Sequence, residues 1–257
     1  MNFSALELSI LIPALLAGLL VTATHVPLGI QVLQRGIVFI DLAIAQIAGL
    51  GIMAADLLGW EPQGWAAQSV AMSAAVVGAI VLTWAEKNWP DVQEATIGVS
   101  FVLAASAAIL LLAGNPHGGE HLKDLLVGQI LWVNLKSLLP VLLMYAVILA
   151  LWFGFKDRLG RAGFYVLFAC AVTISVQLVG VYLVFAGLII PALATRNFKS
   201  RRLSAAYATS ATGYALGLVL SSLFDLPSGA VIVWSMAVIA ITVYAARQRM
   251  KPTASLA

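Results

Sequence analysis

One carboxylate, Asp41, stands inside an otherwise apolar run of this sequence. The run follows a basic residue and has the sequence RGIVFIDLAIAQ, from Arg35 to Gln46. An ionised carboxylate in hydrocarbon is costly, so the surroundings of Asp41 must supply a partner, a wet cavity or a proton. Two interpretations remain open. Asp41 lies on the path of an ion, or it is the structural partner of Arg35 or of a backbone group.

A second group of candidate ligands lies in the polar stretch GNPHGGEHLKD, residues 114–124. His117, Glu120 and His121 place two imidazoles and a carboxylate beside a pair of glycines. Because imidazole and carboxylate groups bind Zn²⁺, these residues are a candidate metal site. The alternative is an exposed polar loop without a metal. We expect the remaining histidine, His25, to be a hydrogen-bonding residue at a helix end and not a ligand.

The composition indicates that membrane spans must position these residues. Of 257 residues, 62% are hydrophobic and only 10% are charged, and the mean hydropathy is +1.01. A soluble domain carries about 25% charged residues. The pI of about 9.1 is expected from basic residues on the inner side of a membrane, and no nucleic-acid partner is predicted. The sequence therefore predicts an all-α polytopic membrane protein with a single domain over residues 1–257.

Apolar segments long enough to cross about 30 Å of hydrocarbon as helices recur along the chain. They cover residues 8–28, 37–59, 65–85, 96–113, 137–155, 163–195, 203–223 and 228–246.

The segment 163–195 is too long for one crossing, and both of its ends are basic. Both ends should therefore be cytoplasmic, so the segment crosses an even number of times. It is predicted to form two short helices that meet near Gln177–Gly180, with Gly187 and Pro191 as irregular points in the second helix.

Nine spans result, or eight if this pair is re-entrant, with the N-terminus outside and the C-terminus cytoplasmic. This orientation places 12 of the 14 Lys and Arg residues inside. It also places the candidate ligands at 117–121 at the outer mouth of the bundle.

Motifs for covalent chemistry are absent from the sequence. There is no G-x-x-x-x-G-K-[ST] segment, so the chain has no P-loop for ATP of its own, and there is no H-E-x-x-H segment of a metalloprotease. We therefore expect a conduit and not an enzyme.

The region around residues 187–232 carries the strongest family signal. Its features, in chain order, are Gly187, Pro191–Ala192, Thr195–Arg196, a basic loop, a helix of small residues with Gly213 and Gly217, and the turn at 225–229. The stretches 28–52, 94–112 and 125–133 agree in order and spacing. With these features the chain resembles the permease subunits of bacterial metal-ion ABC importers, the zinc, manganese and iron group related to zinc-uptake permeases.

The resemblance implies a type II ABC importer permease bundle of about 8–9 helices in the bacterial inner membrane. It also implies a second copy of the chain, two cytoplasmic P-loop ATPase subunits that use ATP, and an extracytoplasmic metal-binding protein. The cargo would be a divalent transition metal, zinc first and manganese second, with no permanently bound cofactor. The ATPase coupling loop would be formed by Arg196, Asn197, Phe198, Lys199, Ser200, Arg201 and Arg202. From the residues alone, this loop could equally be a positive-inside anchor.

The chain departs from this family at the pathway itself. The family usually has Gly-Asp-Ala-x-Ser-His in the helix after the first cytoplasmic loop, with Asp and His on one helix face. Here Asp41 stands at the position of the Gly, Leu42 at that of the Asp and Gln46 at that of the His. Asp41 and Gln46, the candidate pathway residues, are about 140° apart around a helix. An oxygen-only pair favours harder ions such as manganese. The alternatives are an iron-siderophore-type ABC permease and a secondary transporter driven by an ion gradient.

Overall fold

The computed structural model describes residues 7–61, 64–112 and 126–249. The predicted outer ligands His117, Glu120 and His121 lie outside these ranges. Every regular element within them is helical. The main helices are α1 (Leu8–Arg35), α2 (Ile40–Leu57), α3 (Trp65–Asn88), α4 (Gln93–Leu112), α5 (Leu135–Phe155), α6 (Arg158–Val179), α7 (Val181–Ala194), α8 (Arg202–Phe224) and α9 (Ser228–Arg249).

The prediction of an all-α polytopic membrane protein is confirmed. Within the described ranges, eight helices are long and apolar enough to cross a membrane. The other, α7, has 14 residues and is therefore only about 21 Å long. That length is shorter than the hydrocarbon core of about 30 Å, so α7 is not a complete crossing by itself.

The predicted break in segment 163–195 is confirmed, and Gly180 causes it. Gly180 separates α6 from α7 with a φ of 81° and a ψ of 162°, a backbone conformation that is essentially restricted to glycine. Its backbone lies directly against that of Val127 and Gly128. The prediction of irregular points at Gly187 and Pro191 is wrong, because α7 continues as a helix through both residues.

Helices α5 and α6 are parts of one long helical stretch, Leu135–Val179. Phe155 and Gly160 leave helical geometry within it and divide it into two spans. The predicted boundary between these spans, at 155–163, is therefore close to the observed one.

The first helix contacts α7, α8 and the α5–α6 stretch, while α2 packs against α3 and α4. Small residues bring the backbones together. Gly29 of α1 lies against the carbonyl group of Leu188 in α7, and Gly217 of α8 against Ile232 of α9. Helices in a membrane associate through such close packing because lipid provides no hydrophobic drive between them.

Candidate ion site and cytoplasmic loop

Asp41 is buried in the first turn of α2, with 1% of its surface exposed. Neither of its carboxylate oxygens has a hydrogen-bond partner among the described residues. The ion pair between Asp41 and Arg35, one of the predicted alternatives, is not formed. The Arg35 guanidinium instead lies 4.3 Å from the ring centroid of Phe164 in α6. The helix N-terminus favours negative charge at this position. Asp41 is therefore a buried carboxylate with no hydrogen bond of full geometry, stabilised by the backbone N–H groups of Leu42 and of Asp41 itself at the helix N-terminus. It can still accept a cation or a proton.

Gln46 is also buried, but on another face of the same helix. It is 3% exposed and lies about 140° around α2 and about 7.5 Å along its axis from Asp41. Gln46 shares a stripe with Phe39 and Leu42, whereas Asp41 shares one with Ala45. The structure therefore does not bring Asp41 and Gln46 onto one face of the helix, in agreement with the spacing in the sequence.

The stripe of Phe39 and Leu42 borders an open apolar groove of about 620 Å³ between α2 and α4. On the α4 side this groove is lined by Ala95, Gly98, Val99, Phe101, Val102 and Leu103.

Two pairs of buried hydroxyl residues, which the sequence did not predict, connect helices inside the bundle. The hydroxyls of Thr22 and Ser210 are hydrogen-bonded at 2.8 Å. Tyr145 and Ser175 share another hydroxyl pair, and Ser175 also donates to the carbonyl of Ala171. All four of these hydroxyl residues are buried. Their bonds tie α1 to α8 and α5 to α6.

His25 belongs to this buried region of α1. The prediction that it lies at a helix end is wrong, because α1 continues to Arg35. Its Nδ1 is 3.1 Å from the Thr24 hydroxyl, while its Nε2 has no partner among the described residues. Gly18, Thr22 and His25 are spaced by four and three residues, so they share one face of α1. This spacing is the sequence signal from which a buried polar face of the helix could have been predicted.

Metal-ligating side chains do not converge in the part of the chain that the structure describes. No group of three or more His, Cys, Asp or Glu residues there could hold a metal ion. The predicted outer cluster of His117, Glu120 and His121 lies in the undescribed stretch 113–125, so it remains a prediction.

The loop of residues 196–202, hereafter the basic loop, links α7 to α8 on one end of the bundle. It begins after Thr195, whose hydroxyl donates to the carbonyl of Pro191 at 2.8 Å. It ends at Arg202, whose Nη2 donates to the carbonyl of Ala192 at 3.3 Å. The side chains exposed between these two anchors are those of Arg196, Asn197, Lys199, Ser200 and Arg201. The loop therefore presents a cationic surface on an anchored backbone.

Comparisons with known proteins agree with this architecture. A model of the ABC 3 transport family matches residues 7–160 and 154–247. The high-affinity zinc uptake system membrane protein ZnuB of Haemophilus influenzae is 22% identical over 269 residues, which cover 94% of this chain and 99% of that protein.

Two solved structures share the fold. The structure of PsaBC from Streptococcus pneumoniae in complex with Fab is 22% identical, with a TM-score of 0.74 and coverage of 93% of this chain and 92% of that one. A structure assigned to the metal-chelate type of ABC transporter, in an inward-facing conformation, is 19% identical with a TM-score of 0.66. It covers 93% of this chain and 85% of that one.

The family model spans almost the whole described chain, and the fold is shared with the two solved structures. The resemblance found in the sequence motifs is thereby confirmed. The chain belongs to the ABC 3 transport family, as a multi-pass permease of the metal-ion ABC type.

Proposed function

We propose that this chain is the permease of an ATP-driven importer that moves a divalent transition metal across the bacterial inner membrane, with zinc as the first candidate and manganese as the second. The observation that carries the proposal is the family match over nearly the whole chain. Zinc comes first because the nearly full-length curated relative is a zinc uptake protein. Manganese comes second because Asp41 and Gln46 offer only oxygen atoms, which suit harder cations.

The proposed assembly contains two copies of this chain, two cytoplasmic P-loop ATPase subunits and an extracytoplasmic metal-binding protein. The sequence has no P-loop, so ATP would be used by the partner subunits and no cofactor would be permanently bound. The C-terminus would be cytoplasmic, because this orientation places 12 of the 14 basic residues inside.

Transport would proceed by alternating access. The dimer would open outward to receive the ion, and then open inward as ATP closes the ATPase dimer. Asp41 is the residue proposed to meet the ion inside the membrane. A buried carboxylate without a hydrogen-bond partner attracts a cation strongly, because the low dielectric surroundings screen its charge poorly. Gln46, on its separate stripe of α2, would offer a neutral carbonyl oxygen to the ion at a different point of the path.

The basic loop would dock on the ATPase. Its exposed cations suit an acidic partner surface at close range, and both of its ends are tied to the last turn of α7. A change in the ATPase dimer would thus reach the membrane helices through an anchored backbone.

A second candidate cargo is a metal chelate, such as an iron siderophore. This candidate is supported by the difference from the family pattern in α2, where Leu42 and Gln46 replace the family's Asp and His. The fold similarity to the metal-chelate type of transporter is compatible with it.

The test is the cell-associated content of zinc and manganese, measured by elemental analysis. Chelator-treated cells would express this chain with its ATPase and binding protein, and the matched control would carry an ATPase that cannot bind ATP. We expect one metal to rise only with the active ATPase. Uptake that persists with the inactive ATPase would favour a gradient-driven carrier instead. No rise in either metal, with the complex assembled, would contradict the divalent-metal proposal and favour a chelate.

A further inference from the structure

The basic loop is held against the end of α9 by two reciprocal cation–π contacts. The guanidinium carbon of Arg196 lies 5.6 Å from the ring centroid of Tyr244. That of Arg247 lies 5.3 Å from the ring centroid of Phe198. Both distances are within the range of about 6 Å over which a cation is attracted to an aromatic face. The loop thus contributes one cation and one ring, and α9 contributes one ring and one cation.

The two residues of α9 are spaced to act together. Tyr244 and Arg247 are three residues apart on a continuous helix, so they lie on the same face. Their partners, Arg196 and Phe198, lie in the first half of the loop. Phe198 is half-buried, whereas its neighbours Asn197 and Lys199 are exposed. The contacts therefore fix two of the loop positions between the anchors at Thr195 and Arg202.

We propose that Tyr244 and Arg247 are positioning residues for the basic loop, which they hold in the conformation that engages the ATPase. The inference rests on the proposed function, because it assigns a role to α9 in the coupling step of that same transporter. Neither residue has to touch the ATPase itself. Each acts through the loop residue on which it stacks.

The packing of α9 connects the basic loop to the helices on either side of it. The loop joins α7 to α8, and α9 packs against both of these helices. The end of α9 therefore moves with the two helices that flank the loop, and the stacked pairs keep the loop fixed to all three. If the pairs are removed, the loop can shift without displacing the helices, and ATP hydrolysis is then transmitted less completely to the membrane.

The test uses the complete complex in liposomes, with metal ions transported per ATP hydrolysed as the readout. Tyr244→Leu and Arg247→Gln are each expected to lower this ratio about fivefold, the effect of one partly desolvated cation–π contact. Basal ATP hydrolysis by the complex is expected to stay unchanged, and the unfolding temperature of the permease in detergent should fall by only about 2–4 °C, the loss expected for one such contact. Tyr244→Phe keeps the ring and should keep the ratio. Trp234→Leu, which removes an exposed ring elsewhere on α9, is the matched control and should also keep it.

A double-mutant cycle distinguishes positioning from simple destabilisation. Phe198→Leu combined with Arg247→Gln should lower the ratio no further than either change alone, because both remove the same contact. Fully additive losses would overturn the proposal, and so would a wild-type ratio in Tyr244→Leu. An equal loss in Tyr244→Phe and Tyr244→Leu would also overturn it, because the hydroxyl and not the ring would then matter.

One further variant keeps this inference distinct from the proposed function. Lys199→Glu reverses a charge on the exposed part of the loop and should itself reduce coupling if the loop docks on the ATPase. A loss in Lys199→Glu together with normal coupling in Tyr244→Leu would overturn the positioning role alone. Normal coupling in Lys199→Glu would contradict the docking role of the loop, and the positioning role would fall with it.

Discussion

Replacement of Gly180 by alanine should strongly destabilise the protein, for two separable reasons. The φ of 81° and ψ of 162° at Gly180 cost a residue with a side chain of order 1–3 kcal/mol. The added methyl group would also lie 2.6 Å from the carbonyl carbon of Val127. Overpacking of this kind costs about 1–3 kcal/mol more. The expected loss in the free energy of unfolding is therefore about 2–6 kcal/mol.

Two other glycines separate these contributions. Gly160 has a similar backbone, with a φ of 58° and a ψ of −159°, but open space where a methyl group would lie. Gly160→Ala should therefore cost only the conformational part, of order 1–3 kcal/mol. Gly98 lies within α4 and also faces open space. Gly98→Ala should stabilise the protein by about 0.5–1 kcal/mol, because alanine loses less backbone entropy in a helix.

The assay is equilibrium unfolding in mixed micelles, followed by tryptophan fluorescence, with all three variants and the wild type measured in one series. The expected order of stability is Gly98→Ala, wild type, Gly160→Ala and then Gly180→Ala. An equal loss for Gly160→Ala and Gly180→Ala would refute the contribution of the contact with Val127. Wild-type stability in Gly180→Ala would refute the break between α6 and α7 as described.

Three further predictions follow from the site and the packing. Asp41→Asn should lower metal uptake about tenfold or more at normal protein levels, whereas Asp225→Asn, at an exposed carboxylate, should not. Near-normal uptake in Asp41→Asn would remove this residue from the pathway. The double variant Leu42→Asp with Gln46→His places a carboxylate and an imidazole on one face of α2. It should shift uptake towards zinc in a zinc–manganese competition assay. An unchanged preference between the two metals would show that this stripe does not meet the ion. Gly29→Ala should destabilise the protein by about 1–3 kcal/mol in the same unfolding assay, because its methyl group would overlap the Leu188 carbonyl. A stability equal to that of Gly98→Ala would contradict the close approach of α1 and α7.

The helices themselves were largely predictable because membrane insertion depends on the local run of apolar residues. The main errors concern proline and glycine. His25 was expected at a helix end and the first apolar segment was expected to stop at residue 28, yet α1 continues to Arg35, with Pro27 inside it. Pro191 is likewise inside α7. Within a bundle, an interrupted helix leaves several backbone groups to satisfy, whereas proline removes only one donor, so the helix persists.

The partners of the polar side chains were less predictable. Asp41 was correctly expected to be buried, since it stands in an apolar run. Arg35, one of the partners considered for it, instead stacks on Phe164 of α6. Thr22 bonds to Ser210, which is 188 positions away in the chain. Such pairs depend on how the helices pack, and sequence spacing specifies contacts only within one helix.

The sequence by itself determined that this protein is a helical membrane permease, because its apolar segments, its basic loops and the order of its motifs are properties of the linear chain. Only the tertiary structure decided which buried polar groups remain without partners and that α9 stacks on the basic loop. These features arise from side chains of different helices, whose distances are set by close packing throughout the bundle.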